Sequence, residues 1–501
     1  MSEETRKRLS RRKFVALTGG ALVASGILAA CGDNTATTAP ATTAPAATTA
    51  ASTTAAATTA ATSTTAAATS AAATTAAGTT AAATTSAATT AAVTTSAAST
   101  GDFITSKSGY KGNLDYWALG YAAGGGNAFS KSSDSAVAAF MKANPDIKVT
   151  ITGYTPDNAG FAKVVNAVQS GSGVDAFRIP NDSLPTLIQQ GAIAPIDDYL
   201  TADDKNDILP NLFDLVKVNG KLYAWPLWVP PVGMYMNLDI FKEKGVDLPP
   251  KTWTYDDFVA IAKKLTFTRG SDKVYGFSAL FDPGGVDSWP FILSDGALPL
   301  SSDNKKYTWN TADAYSGLKK VTDLALVHKV TPPDFGTQKQ DDLLTAMKNK
   351  LQAMWTRPSG DAGTLTQAGL NIDIWPIPLG KSGKPISAGG VGLIAVTPNK
   401  DTAKQKAAMD LARYLTSPQV EQDVPGYYLA PGARKSVTVK APYNKFADIA
   451  PNAWITPSIP QWTQIRTLIH PNIQNAVFGK MTPEQALSQP ADEINKLLSQ
   501  S

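Results

Sequence analysis

From about residue 111 onward, short apolar runs alternate with stretches in which apolar residues recur every three or four positions. Residues 113–119 (NLDYWAL) read as a first strand. Residues 147–154 (IKVTITGY) read as a second, with Ile147, Val149 and Ile151 on one face at the two-residue period of a half-buried strand. Between them, residues 132–143 carry Val137, Phe140 and Met141 along one helical stripe, stopped by Asn144-Pro145. A second helix over 161–170 and a third strand over 174–179 continue the alternation, which predicts layered α/β architecture. In such sheets ligands sit outside the carboxyl ends of the strands. Residues 117–127 and 178–183 therefore fall on the expected functional rim. Further on, Asn219-Gly220 reads as a turn, and Pro230-Pro231 cannot continue the interior of a sheet. Thr254, followed at three residues by Asp257, reads as the N-cap of a helix whose stripe is Phe258, Ile261, Ala262 and Leu265.

The pattern is absent from the first hundred residues. Arg6 to Lys13 form a basic segment, 14–30 is apolar but diluted by Thr18, Gly19, Gly20, Ser25 and Gly26, and the run ends in Ala29-Ala30 before Cys31. A bilayer crossing needs roughly 20 predominantly apolar residues, so 1–30 is expected to be a signal peptide. Ser10-Arg11-Arg12-Lys13-Phe14-Val15 resembles a twin-arginine export signal, and Leu28-Ala29-Ala30-Cys31 a lipobox, which implies a lipidated Cys31 and a membrane anchor. After Asp33, residues 34–100 are almost wholly Ala, Thr and Ser without charge or apolar stripe, so 31–101 is expected to be a disordered tether. As a flexible coil it would reach roughly 45 Å.

The chain has 501 residues, enough for two or three domains. Its formal charge of +4 comes from the leader: beyond it remain 39 basic and 39 acidic residues, which gives no support for nucleic-acid binding. One cysteine and two histidines make a zinc or iron site an unpromising expectation and exclude an internal disulfide. Neither metal nor cofactor is expected. Gly124-Gly125-Gly126-Asn127 lacks the spacing of a nucleotide-binding loop. His328 and His470 have no nucleophile elbow near them, so a catalytic triad is not expected.

Four ordered passages resemble those of the extracellular solute-binding proteins of ABC transporters, the family that includes maltose-binding protein. The first joins Gly220-Lys221-Leu222-Tyr223-Ala224-Trp225-Pro226, Asn237-Leu238-Asp239-Ile240-Phe241 and Pro249-Pro250-Lys251-Thr252-Trp253. The others are 287–300 (DSWPFILSDGALPL), 386–419 with Gly389-Gly390 and a closing Leu-Thr-Ser-Pro, and 454–465 (WITPSIPQWTQI). Met236 departs from the tyrosine common before Asn237. The resemblance implies a two-lobed periplasmic-binding-protein-like α/β fold closing on a solute in the interlobe cleft. Lobe 1 is expected from 102–228 and 377–431, and lobe 2 from 229–376 and 432–501. Hinge crossings are expected near 225–232, 375–379 and 430–434. The implied protein is a monomeric, exported, lipid-anchored carbohydrate receptor that serves ABC permease subunits and is not an enzyme.

Sugars present apolar C–H faces edged by hydroxyls, so a site for them combines aromatic platforms with planar hydrogen-bonding groups. Trp117, Trp228, Trp289, Trp355 and Trp462 are the candidate platforms. Arg178, Asn181, Asp182, Asp287 and Arg357 are the polar candidates, Tyr235 serves either way, and Gly390 lets backbone approach ligand. Packing competes with binding at Trp289, at a helix start, and at Trp462. Trp253 and Trp375 read as packing residues. Arg178 and Arg357 could equally pair with nearby carboxylates. A glycan hydrolase would need two cleft carboxylates about 5–10 Å apart, and Asp182 with Asp287 is the available pair. A ligand-sensing surface receptor on the same fold is the third reading.

Overall fold

Alternating burial along Ile147–Tyr154 seats that strand at the edge of a five-stranded sheet. Its neighbours in order are Gly112–Leu119, Ala176–Pro180, Gly392–Val396 and Trp225–Trp228. The first three strands are parallel, and the last two alternate in direction. The computed structural model describes residues 102–155, 158–171, 173–283 and 285–500. The signal peptide, Cys31 and the tether lie outside the described residues. Among those described, no helix is long and apolar enough to cross a membrane.

The helix Ala128–Ala143 starts earlier than its apolar stripe. Asn127 caps it, its side chain accepting from the Ser130 amide at 2.8 Å. Asn144 ends it, its amide donating to the Phe140 and Ile104 carbonyls at 2.8 Å each. Together with Thr402–Leu415, this helix covers one face of the sheet.

The second five-stranded sheet belongs to lobe 2, in the order Ile372–Trp375, Val232–Asn237, Gln352–Pro358, Asp272–Ala279 and Phe267–Arg269. Helix Tyr255–Lys264 packs on it. Thr254 and Asp257 form a reciprocal capping box there, a device worth about 1 kcal/mol. Phe258 meets Trp253, Phe277 and Phe291 at ring-centroid distances of 5.7, 5.1 and 5.4 Å, giving lobe 2 an aromatic core. Helices Trp462–Val477 and Pro483–Ser488 return to this lobe and pack with Ala312–Leu326, and Ala491–Leu498 packs on Trp462–Val477.

The chain passes from the first sheet to the second through residues 229–231. The other two passages differ from expectation. Leu379 is still held in lobe 2, donating to the Trp253 carbonyl and accepting from the Tyr255 amide, and the Lys381 amide donates to Asp295. The return therefore comes at Ser387–Gly389, which pairs with Ala453–Ile455 and touches Pro231, rather than at 375–379. Arg434 is likewise still in lobe 1. It is held by Asp204 Oδ1 at 2.9 Å and the Thr416 carbonyl at 2.7 Å, and Ser436 is held by Asp207. The last passage lies between Ser436 and Tyr443, where the chain reaches the lobe 2 strand Ile372–Trp375. Both expected lobe boundaries, 376/377 and 431/432, fall too early, because buried polar anchors hold the chain past each motif. Burial alone would raise the Asp204 pKa, but Arg434 and Arg413 overcome it and hold this carboxyl below its ordinary value.

Candidate functional site

The carboxyl ends of the lobe 1 strands at Leu119, Pro180 and Trp228 form a rim that meets lobe 2. Asn181, just past its strand, is fully enclosed. Its Oδ1 accepts from the Val391 amide at 2.8 Å, and its Nδ2 donates to the Thr456 carbonyl at 2.7 Å and to Ser458 Oγ at 3.1 Å. Gly390 lies close beside it, and a Cβ there would sit in tight contact, 3.1 Å from Asn181 Oδ1. Asp182 pairs across the lobes with Arg466 Nη2 at 3.0 Å. These contacts join lobe 1 to the segment and helix that return at the end of the chain.

On the lobe 2 side, Arg357 stands between two carboxylates, with Nη1 3.1 Å from Asp287 and Nε 2.7 Å from Asp361. Burial works against the Arg357 charge, yet the two carboxylates hold its pKa above the ordinary arginine value. Burial also raises the Asp287 pKa, against the pull of Arg357. Trp355, two residues before Arg357 on the same strand face, lies 5.8 Å from the guanidinium and from the Tyr235 ring. The Tyr235 hydroxyl donates to the Pro358 carbonyl at 2.7 Å.

Arg178 and Trp228 meet on the lobe 1 rim. The guanidinium lies 4.0 Å from the Phe129 ring centroid and 5.2 Å from that of Trp228, which also meets Phe129 and Tyr428 edge to face. Where the lobes adjoin there is also a hollow of 440 Å³, walled by Leu184, Asp214 and Lys217 on one side and Leu300, Asn304 and the partly exposed Trp454 on the other.

The aromatic expectations need correction at three positions, Trp117, Trp289 and Trp462. Trp117 does not reach the rim: its Nε1 donates to the Gly173 carbonyl at 2.9 Å, so the ring lies along the sheet beside Val164 and Phe177. Trp289 and Trp462 are fully buried in lobe 2. Trp289 packs on Trp309, Trp454, Trp462 and His470 at 4.6, 6.0, 5.7 and 5.5 Å. Trp355 and Tyr235 are also fully buried, but in one apolar cluster with Phe129 and Trp228 of the lobe 1 rim, so they lie where the lobes meet. Trp117, Trp289 and Trp462 share one reason: a bulky ring near a rim is more stably placed against the core of its own lobe. Trp253 and Trp375 pack as expected, their indole N–H groups donating to the Pro376 and Pro249 carbonyls.

The sequence reading missed Asp361 and Arg466. Asp361 is four residues from Arg357, a spacing that could have disclosed the pair. Arg466 meets a partner far away in the chain, and no local signal marks it. Among the described residues no cluster of His, Cys, Asp and Glu is arranged to hold a metal ion.

Residues 126–422 match the family model of the bacterial extracellular solute-binding proteins. The sn-glycerol-3-phosphate-binding periplasmic protein of Salmonella typhimurium is 25% identical over 74% of this chain and 89% of its own. The maltotriose-binding protein of Pyrococcus abyssi is 24% identical over 53% of this chain and 56% of its own. Among solved structures, an ABC substrate-binding protein of Listeria monocytogenes in complex with cycloalternan superposes with a TM-score of 0.67 at 23% identity, covering 78% of this chain and all of that one. That likeness shows a shared two-lobed α/β fold.

Proposed function

The chain belongs to the bacterial extracellular solute-binding protein family, and on that premise we propose that it is a lipid-anchored receptor that captures a carbohydrate between its lobes and delivers it to an ABC importer. The observation that carries the reading is the rim itself: Asn181 and Asp182 of lobe 1 reach Thr456, Ser458 and Arg466 across the lobe junction. A solute that binds there gains contacts only when the lobes are together, and a ligand shifts an equilibrium only through such differential affinity. The proposed contacts are Arg178, Asp182, Trp228, Asp287, Arg357 and the Gly390 backbone, with Arg466 added. Relatives named for maltotriose and sn-glycerol 3-phosphate support a carbohydrate or polyol as the solute class.

The leader and tether complete the reading. The arginine pair Arg11-Arg12 would direct export, Cys31 would carry the lipid, and the uncharged segment after it would let a monomeric body work beside its permease. A hydrolase fits less well, because both Asp182 and Asp287 are taken up by arginines and neither is free to pass a proton to a leaving group. A thermal-shift screen of the full chain against mono- and oligosaccharides tests the proposal. The expected result is a raised melting temperature with at least one sugar or polyol. A shift with a polyamine or peptide and with no carbohydrate would overturn it.

A further inference from the structure

Six arginines fall among the described residues, and five of them pair with carboxylates. Arg269 meets Glu243, Arg357 meets Asp287 and Asp361, Arg413 and Arg434 share Asp204, and Arg466 meets Asp182. Arg178 forms no ion pair with any described residue. Its Nη2 donates to the Leu119 carbonyl, while its Nε is enclosed and has no hydrogen-bond partner among the described residues. Phe129 and Trp228 lie against the guanidinium, and the neighbouring polar groups are the phenols of Tyr116, Tyr154 and Tyr427 rather than carboxylates.

A guanidinium is charged at every physiological pH, and its five N–H groups are arranged in a fork that suits carboxylate or phosphate oxygens. Aromatic faces attract a cation but do not accept those N–H groups in place of lost water. Arg178 also stands at the functional edge of its lobe. It lies two residues before the strand end at Pro180, beside Leu119 and Gly120, and against Trp228, the last residue of its strand before the chain passes to lobe 2. Gly120, with positive φ, begins the adjoining loop without a side chain where a Cβ would fall 3.8 Å from Arg178 Nη2.

We propose that the captured solute carries an anionic oxygen group, a phosphate or a carboxylate, and that Arg178 receives it. The inference rests on the carbohydrate-receptor reading and narrows it to an acidic or phosphorylated sugar or polyol. The missing counter-charge of Arg178 is then supplied by the ligand, and the aromatic rings around it exclude water from the pair.

Isothermal titration of the full chain with matched probes tests this: glycerol against sn-glycerol 3-phosphate, galactose against galacturonate, and glucose against glucose 6-phosphate. One charged probe is expected to bind about 30-fold more tightly than its neutral partner, the scale of a charge-assisted hydrogen-bonded pair. Arg178→Gln should lose most of that preference, and Arg178→Lys, which keeps the charge and loses the fork, should recover part of it. Melting temperatures of both variants without ligand separate a binding loss from a folding loss. A neutral sugar bound as tightly as its charged partner overturns the anionic proposal and leaves the carbohydrate reading standing. An unchanged preference in a folded Arg178→Gln protein also overturns it. Binding of neither member of any pair, with a peptide or polyamine bound instead, overturns both.

Discussion

Arg178 and Arg357 stand at the edges of the two lobes, each beside a tryptophan, and their electrostatic surroundings are opposite. Arg357 is bracketed by Asp287 and Asp361, so lobe 2 neutralises its own cation and adds a surplus carboxylate. Among the described residues Arg178 has aromatic rings and a backbone carbonyl as its surroundings and no carboxylate paired with it. A buried ion pair costs more to break than a solitary ion costs to remove, because one partner's loss strands the other's charge. The largest difference should therefore appear in stability. Arg357→Met leaves two carboxylates facing each other without a cation and should lose about 3–5 kcal/mol in urea denaturation of the full chain. Arg178→Met keeps the alkyl packing, strands no charge and should change stability by less than about 1 kcal/mol. Equal losses in the two variants would break the comparison.

The same contrast shows what the sequence could disclose. Strands such as Ile147–Tyr154 were legible because a half-buried sheet forces a two-residue alternation, and the Thr254–Asp257 box because capping acts within one turn. The two-lobed fold followed from motifs in order along the chain. Site residues were harder, since a tryptophan near a strand end satisfies core and cleft equally. Trp289 is drawn into the lobe 2 core by Trp309, Trp454, Trp462 and His470, and Trp462 by Trp289 and Trp454, partners that lie on other elements. The lobe boundaries slipped for a similar reason: the anchors Asp295 and Asp204 hold residues distant in sequence. The sequence offers Arg178 as a candidate with pairing as its rival role, but only the assembled rim reveals that no carboxylate among the described residues pairs with it.

Trp228 offers a second, smaller probe of the lobe 1 edge. Gly392, on the neighbouring strand, leaves room for the indole, and a Cβ there would fall 2.4 Å from Trp228 Nε1. Neither the rigid ring nor the strand backbone can give way by the distance required. Gly392→Ala should cost about 1–3 kcal/mol of stability as an overpacked core site. It should also weaken solute binding, because the displaced ring is one wall of the Arg178 surround. Wild-type stability with unchanged affinity would remove Trp228 from the site.

The smallest effect concerns a third cation-forming group, His470, which lobe 2 treats differently from Arg357. It is buried and stacked on Trp289 at 5.5 Å, with Arg466 one helical turn away, and burial followed by the Arg466 charge pushes its pKa down to about 3. In the unfolded chain the same imidazole titrates near about 6.5. Between these values the unfolded state binds the extra proton, so this contribution is fully present above pH ~6.5 and is lost as the pH falls toward the folded value. His470→Gln removes the titration. Its unfolding free energy should therefore fall less steeply between pH 6 and 4, by about 1 kcal/mol per pH unit. An unchanged slope would mean that His470 binds its proton alike in the folded and unfolded chains, and that its burial against Trp289 does not hold it neutral.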